Sequence, residues 1–222
     1  LKELLKHAMH LQMRSDVPIG AYLSGGIDSS LVSTLASEEH NKALPMFHGK
    51  FSEGPQYDES KYAKELVKFA KGSYFEVIPT ANDFVDMVPK LIYSLDEPLA
   101  GPGVFPQFAT SQLASKHVKV ILGGQGGDEI FGGYARYLVG YLEQALKGSI
   151  LRTQEEGKHL VTLDTIVPNL SILKEYTPLL KQFWSRGLFE EMDKRYFHLI
   201  DRSQGIESIL NADFYSQFNK EE

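Results

Sequence analysis

Ile19-Gly20-Ala21-Tyr22-Leu23-Ser24-Gly25-Gly26-Ile27-Asp28-Ser29-Ser30 is the stretch on which the reading of the fold turns. Ile19 to Leu23 is a short apolar run stopped by a glycine pair, the pattern of a buried strand. From Ser29 to Glu39 the apolar residues Leu31, Val32, Leu35 and Ala36 fall on one face of a helix. Between them, Gly25-Gly26 allow a tight turn in which backbone N–H groups approach a ligand with no Cβ in the way. The helix that follows aims its unpaired N-terminal donors and the positive end of its dipole at the same place. Ser24, Ser29 and Ser30 add hydroxyls. Such a pocket suits a pyrophosphate group. Asp28 opposes an anion there unless a divalent cation, in practice Mg²⁺, bridges carboxylate and phosphate. The plainer alternative is a strand-to-helix turn with Asp and Ser as N-caps, but seven specific residues in this context argue against it. Neither G-x-x-x-x-G-K-[ST] nor a G-x-G-x-x-G between strand and helix occurs.

Working outward, the first three-fifths of the chain alternate helical and strand patterns. Leu1, Leu4, Leu5, Ala8, Met9 and Met13 recur at helical spacing before Ser15-Asp16-Val17-Pro18 breaks the run. Leu44–Phe51 and Tyr74–Ile78 read as strands. Between them a helix from Asp58 to about Ala70 is predicted to turn Tyr62, Ala63, Leu66 and Phe69 inward. Thr80 and Asn82 are helix caps ahead of Phe84, Val85 and Val88, with Pro89 placed to kink or end that helix. Leu95–Pro106 is a proline- and glycine-rich connection, a helix follows to about Lys116, and Val118–Leu122 is a fourth strand. Strands alternating with helices predict βαβ units: an α/β fold with a parallel sheet flanked by helices. After about Gly140 the alternation stops, and residues 141–222 read as a mainly helical extension with spacing such as Leu188, Met192, Tyr196 and Leu199.

The bulk properties narrow the classes. A chain of 222 residues buries roughly 70% of its unfolded surface and needs no disulfide or metal staple. A net charge of −6 offers no footprint for nucleic acid and no general attraction to anionic lipid. The absence of cysteine excludes disulfides, thiolate metal sites and cysteine nucleophiles within this chain, and fits a reducing cytosol. No apolar run reaches the length of a membrane span. The chain opens on Leu1-Lys2-Glu3-Leu4-Leu5-Lys6 rather than methionine, so a fragment of a longer protein is expected.

The fourth predicted strand runs into a second glycine-rich loop, Gly123-Gly124-Gln125-Gly126-Gly127-Asp128-Glu129-Ile130-Phe131-Gly132-Gly133-Tyr134. In an open parallel sheet, ligands bind beyond the carboxyl ends of the strands, so both loops reach one edge. Asp28 and Asp128 could then share one Mg²⁺.

The first loop resembles the pyrophosphatase loop of the N-type ATP pyrophosphatases, which cleave ATP between the α and β phosphates and adenylate a substrate oxygen. With G-x-G-x-D-E-x-F-x-G-Y in the second loop, residues 1 to about 140 resemble the synthetase domain of the asparagine synthetase family. Ser15–Gly20, Tyr57-Asp58-Glu59-Ser60 and Leu95-Asp96-Glu97-Pro98 add to the match. The resemblance implies an adenine nucleotide alpha-hydrolase-like fold with residues 1–140 as the ATP pyrophosphatase core and 141–222 as its helical continuation. It implies ATP and Mg²⁺ as cofactors, and aspartate and ammonia as substrates for asparagine synthesis in the cytoplasm. A glutaminase domain is implied in the full-length chain, and a homodimer is compatible with the family. Carried over by position, Leu23, Ser24, Gly25, Gly26, Asp28, Ser29, Ser30, Gly49, Gly123 and Gly124 would bind the nucleotide. Asp28 and Asp128 would hold the metal and act in catalysis together with Gln125.

Three departures qualify the carry-over. Many members have glutamate at Gln125; an amide cannot titrate, which leaves hydrogen bonding but not proton transfer. The family's late lysine and its E-x-R-x-P pattern have no counterpart here, so the chain is expected to end before both. The glutaminase domain is missing, so this piece alone would draw on free ammonia. Among weaker signals, Asp96-Glu97-Pro98 reads equally as a turn or as substrate-facing carboxylates, and Arg136 and Tyr137 read first as an exposed helical turn and second as contacts to phosphate or substrate. The histidines lack zinc spacing, and the aromatics of 183–197, Trp184 and Phe189 among them, read as core.

Overall fold

The computed structural model describes residues 1–52, 54, 57–96, 101, 103–151, 167–201, 208, 209, 211 and 217. The chain divides into two compact units, residues 1–128 and 129–222. The first opens with helix α1 (Lys2–Gln12), then strand β1 (Ile19–Tyr22) and helix α2 (Ile27–Glu39). Strand β2 (Pro45–Gly49), helix α3 (Ser60–Ala70) and strand β3 (Ser73–Val77) follow. Helices α4 (Ala81–Leu95) and α5 (Val104–Ala114) then lead to strand β4 (Val120–Leu122) and the short helix α6 (Gly127–Phe131).

The four strands form one parallel sheet in the order β3-β2-β1-β4, with Ala21 beside Met46 on one side and Leu122 on the other. This is the α/β sheet that the alternating pattern predicts. Successive strand residues point to opposite faces, and β2 displays it: Met46 and Phe47 are both fully buried, in different cores. Met46 packs with Met9 of α1, Ala36 of α2 and Ala63 and Val67 of α3. Phe47 packs with Ala114 of α5 and with Val118, and stacks on Phe75 at 5.2 Å. The chain therefore runs from β1 to β3 under one helical layer and returns to β4 under the other. The order reverses between β1 and β4, and crevices at such reversals open at the carboxyl ends of the strands.

Several helix faces differ from the sequence reading. Leu31 is exposed, but Val32, Leu35 and Ala36 pack on the core as predicted, and α2 also buries Ser29 and Ser33. On α3, Tyr62 and Phe69 are 60% and 75% exposed, while Ala63 and Val67 meet the sheet. Small residues let these helices sit close against the strands, which leaves Leu31, Tyr62 and Phe69 at the edge of the buried stripe. Pro89 lies inside α4 and does not end it. The carbonyl it leaves without an N–H partner is that of Val85, a residue open enough to solvent for water to serve. Thr80 caps α4 as predicted, in a reciprocal capping box with Asp83. Asp96 ends that helix in the left-handed region; Glu97 and Pro98 lie outside the described residues.

In the second unit, α7 (Ala135–Leu151), a 3₁₀ segment (Val167–Tyr176), α8 (Thr177–Trp184) and α9 (Met192–Ile200) bear out the helical extension. Val139, Leu173 and Leu199 form its core, with Leu170, Leu180 and Phe183 around them. Trp184 and Phe189 are 41% and 36% exposed, so only part of the aromatic run is core. The polar centre of this unit is the wholly buried pair Glu143–Arg195: the guanidinium donates to both carboxylate oxygens and to the carbonyls of Phe183 and Arg186. Arg136 lies over the rings of Tyr134 and Tyr137, at 3.9 and 5.1 Å. Among the described residues, no helix is long and apolar enough to cross a membrane.

Candidate functional site

The first loop leaves the sheet at Leu23, whose N–H still bonds to the Phe47 carbonyl at 2.8 Å. Gly25 then adopts φ +92, a conformation that costs an L-residue with a side chain. It also presses on the start of α3: a Cβ there would lie 3.0 Å from the Glu59 carbonyl oxygen. Gly26 is the N-cap of α2, so Ile27, Asp28 and Ser29 form its first turn. The N–H groups of that turn have no partner within the helix and face outward with its dipole.

The serines of this loop close it on itself. Gly26 N–H donates to Ser24 Oγ at 3.1 Å, and Ser24 N–H donates to Ser29 Oγ at 3.2 Å. Ser29 Oγ donates to the Gly26 carbonyl at 3.2 Å, so the Ser24 hydroxyl is the donor in the 2.9 Å contact between the two hydroxyls. Ser24 and Ser29 thus shape the turn and occupy the N–H groups of Gly26 and Ser24, and among the described residues the N–H groups of Gly25, Ile27, Asp28 and Ser29 have no partner. Ser30 is half-buried on the first turn of α2.

The second loop packs directly onto the first. A Cβ on Gly124 would lie 2.7 Å from the Ser29 nitrogen and 2.8 Å from the Asp28 carbonyl carbon, so these two backbones touch with no room for a side chain. A Cβ on Gly127 would run into the Asp28 carboxylate, reaching 2.7 Å from Oδ1. The Asp28 side chain therefore lies against the first residue of α6, and Asp128 is the second. Asp28 is half-buried and Asp128 is exposed. Gln125 folds back so that its amide oxygen covers Gly123. Among the described residues, no group of three or more His, Asp and Glu gathers as a metal cage. A cation here would rely on these aspartates and on its ligand's own oxygens.

Gly49 ends β2, and its missing side chain makes room for α5: a Cβ there would lie 2.8 Å from Thr110 Oγ1. Beyond it, Lys50 pairs with Asp58 at 3.2 Å. The hydroxyl and N–H of Ser60 bond to Asp58 and, with Lys50 and against a smaller effect of burial, hold its carboxyl down at about 2. On β3, burial pushes the Glu76 carboxyl up, but the Tyr74 hydroxyl and the charges of Lys64 and Lys50 outweigh it and hold it below its ordinary value. Burial first, then Glu76, pushes the Tyr74 hydroxyl up, so it stays a donor.

The structure thus brings together Leu23, Ser24, Gly25, Gly26, Asp28, Ser29, Gly123, Gly124 and Asp128 at the carboxyl ends of β1 and β4. Two residues escaped the sequence reading. Gly127 carries no sequence signal beyond being a glycine ahead of an acidic residue. His48 is a polar residue within the apolar strand β2.

The family model for asparagine synthase matches residues 1–205. The chain belongs to the asparagine synthase family. A Methanocaldococcus jannaschii protein with the provisional name asparagine synthetase (glutamine-hydrolyzing) 2 is 42% identical to this asparagine synthase family chain over 178 residues, 78% of this chain and 34% of that protein. Asparagine synthetase (glutamine-hydrolyzing) 1 of Bacillus subtilis is 34% identical over 137 residues, 62% of this chain and 21% of that protein. The chain thus spans about a third or less of the length of these curated asparagine synthase relatives. A solved structure of the NH3-dependent NAD synthetase from Campylobacter jejuni, in complex with the nitrate ion, aligns with 88% of this chain and 93% of that one. The sequence identity there is 17% and the TM-score 0.42.

Proposed function

We propose that this chain is the ATP-pyrophosphatase part of an amide-forming ligase that converts aspartate, ATP and ammonia into asparagine, AMP and pyrophosphate. In this reading residues 1–140 are the nucleotide-binding core and 141–222 its helical continuation. A glutaminase domain elsewhere in the full-length cytoplasmic protein supplies the ammonia. The observation that carries it is the back-to-back contact of the two glycine loops, with Asp28 lodged against Gly127 beside Asp128. Family membership supports the choice of chemistry.

The donors fit a nucleotide's polyphosphate. Backbone N–H groups of the loop and of the first turn of α2 would receive the leaving pyrophosphate, with Leu23 and Gly49 beside the nucleoside. Asp28 and Asp128 offer hard oxygen ligands of the kind magnesium accepts, one or two carboxylates completed by phosphate oxygens and water. An ion held there would neutralise phosphate charge. An oxygen of the aspartate side chain attacks the α-phosphorus, and the bond to the bridging oxygen breaks with release of pyrophosphate. Ammonia then adds to the activated acyl carbon, AMP departs, and the surplus proton goes to water. Both reactants are anionic, so the chain's contribution is positioning and charge compensation rather than proton transfer. Gln125 serves as a hydrogen-bonding group.

The test is pyrophosphate release from Mg·ATP by the full-length protein, with ammonia, with and without aspartate, beside an Asp28→Ala variant. Aspartate-dependent release that the variant loses is the expected result. Release driven by a different carboxylate would replace aspartate as acceptor. ATP binding without release under any acceptor would reduce the chain to a nucleotide-binding role.

A further inference from the structure

His48 lies on β2 with 2% of its surface exposed. Its Nδ1 is 2.7 Å from the carbonyl oxygen of Leu23, the residue from which the first loop departs. A carbonyl oxygen can only accept, so Nδ1 carries the hydrogen and donates. The other ring nitrogen, Nε2, is buried and finds no partner among the described residues. A strand buried on both faces ordinarily carries aliphatic side chains, and Met46 fills that role two residues earlier in the same row. An imidazole with one idle nitrogen is a poor filler there, since a buried polar atom without a partner costs stability. What it gains is one bond, placed where β1 stops pairing with β2: the register ends at Tyr22 beside Phe47.

We propose that His48 is a positioning residue for the phosphate loop: it holds the Leu23 carbonyl from within the sheet and so fixes where Ser24 to Ser29 stand. This rests on the reading of that loop as a polyphosphate cradle. The ring is itself held in place. It stacks on the Tyr74 ring at 6.0 Å. The start of α3 meets the loop from outside at Gly25, through Glu59. The loop is thus set between a strand-borne donor and a helix end, and neither contributes an atom to the phosphates.

The experiment uses the full-length protein and three variants. His48→Leu puts an apolar side chain of similar bulk in place of the imidazole and removes the donor. His48→Asn returns an amide N–H near the place of Nδ1. Tyr74→Phe keeps the stacked ring but loses the bond to Glu76, so it weakens the same face without touching Leu23. Backbone amide exchange of residues 23–30 is followed without nucleotide, and KM for ATP is separated from kcat and from KM for the acceptor in pyrophosphate release. His48→Leu should speed loop exchange and raise KM for ATP by about fivefold, the value of one net hydrogen bond, with KM for the acceptor unchanged. His48→Asn should recover most of both, and Tyr74→Phe should lower only the melting temperature. Unchanged loop exchange in His48→Leu, or the same loop response in Tyr74→Phe, would overturn the assignment. A wild-type protein that releases no pyrophosphate with any carboxylate would count against the proposed function, while loop exchange would still decide the part played by His48.

Discussion

Replacing Gly124 with alanine tests the contact on which the proposed nucleotide site is built. The new Cβ would stand 2.7 Å from the Ser29 nitrogen, 2.8 Å from the Asp28 carbonyl carbon and 3.0 Å from Asp28 Cβ. All three atoms belong to the backbone or its first branch, so no side-chain rotation relieves the clash. Restoring ordinary separations near 3.5–4 Å requires the loops to part by about 1 Å, and overpacking of this kind costs about 1–3 kcal/mol. A shift of about 1 Å in a reacting group is enough to lower a rate about 100-fold. Gly124→Ala should therefore reduce kcat/KM for ATP by about two orders of magnitude in the pyrophosphate-release assay, while the melting temperature falls by only roughly 5 °C. Gly103→Ala is the control, since no described residue lies within 4 Å of its added carbon. If Gly124→Ala keeps wild-type kcat/KM and melting temperature, the two loops do not touch in solution as described, and the argument for a joint site falls with them.

Gly127→Ala strikes a side chain rather than the backbone, so the Asp28 carboxylate can move aside. The fold should survive while the Mg²⁺ concentration for half-maximal ATP turnover rises several-fold, as read from a metal titration. In the second unit, Glu143→Leu or Arg195→Met strands a buried charge and should cost about 3–5 kcal/mol in urea unfolding, whereas the double variant should recover much of the loss. Equal, small effects of both single changes would refute that view of the pair. The carboxyl of Asp58 is held down from 3.8 to about 2 in the folded chain. Its contribution to stability is therefore complete above pH 3.8 and lost as pH falls from 3.8 toward 2. Asp58→Asn should flatten the acid limb of the melting-temperature profile in that window and leave neutral pH little changed.

How much of this was legible beforehand depends on the range over which each feature is encoded. Strand–helix alternation is local, and it led to the parallel sheet and to both loops at its carboxyl edge. Helix faces were less legible because counting bulky residues favours Leu31, Tyr62 and Phe69. Close packing against a sheet selects small residues such as Ser33, Ala36 and Ala63. The serines of the first loop could be foreseen as polar groups but not as each other's partners, since that depends on the turn's closed geometry. Gly127, His48 and the pair Glu143–Arg195 owe their significance to residues far along the chain. No local pattern records such contacts.

The strand order also carries a consequence for how the protein is made. On the ribosome, β1, β2 and β3 emerge in the order in which they pair, but the other edge of β1 stays open until β4 arrives. Until then a nascent chain presents unsatisfied backbone groups along β1, an invitation to foreign strands. The arrival that seals this edge also delivers Gly124 to Asp28, so the proposed nucleotide cradle and the sheet are finished in one event. Anything that binds the finished cradle pulls that event toward completion by mass action. Nucleotide in the cell would then act as a chaperone of sorts for the last strand to dock.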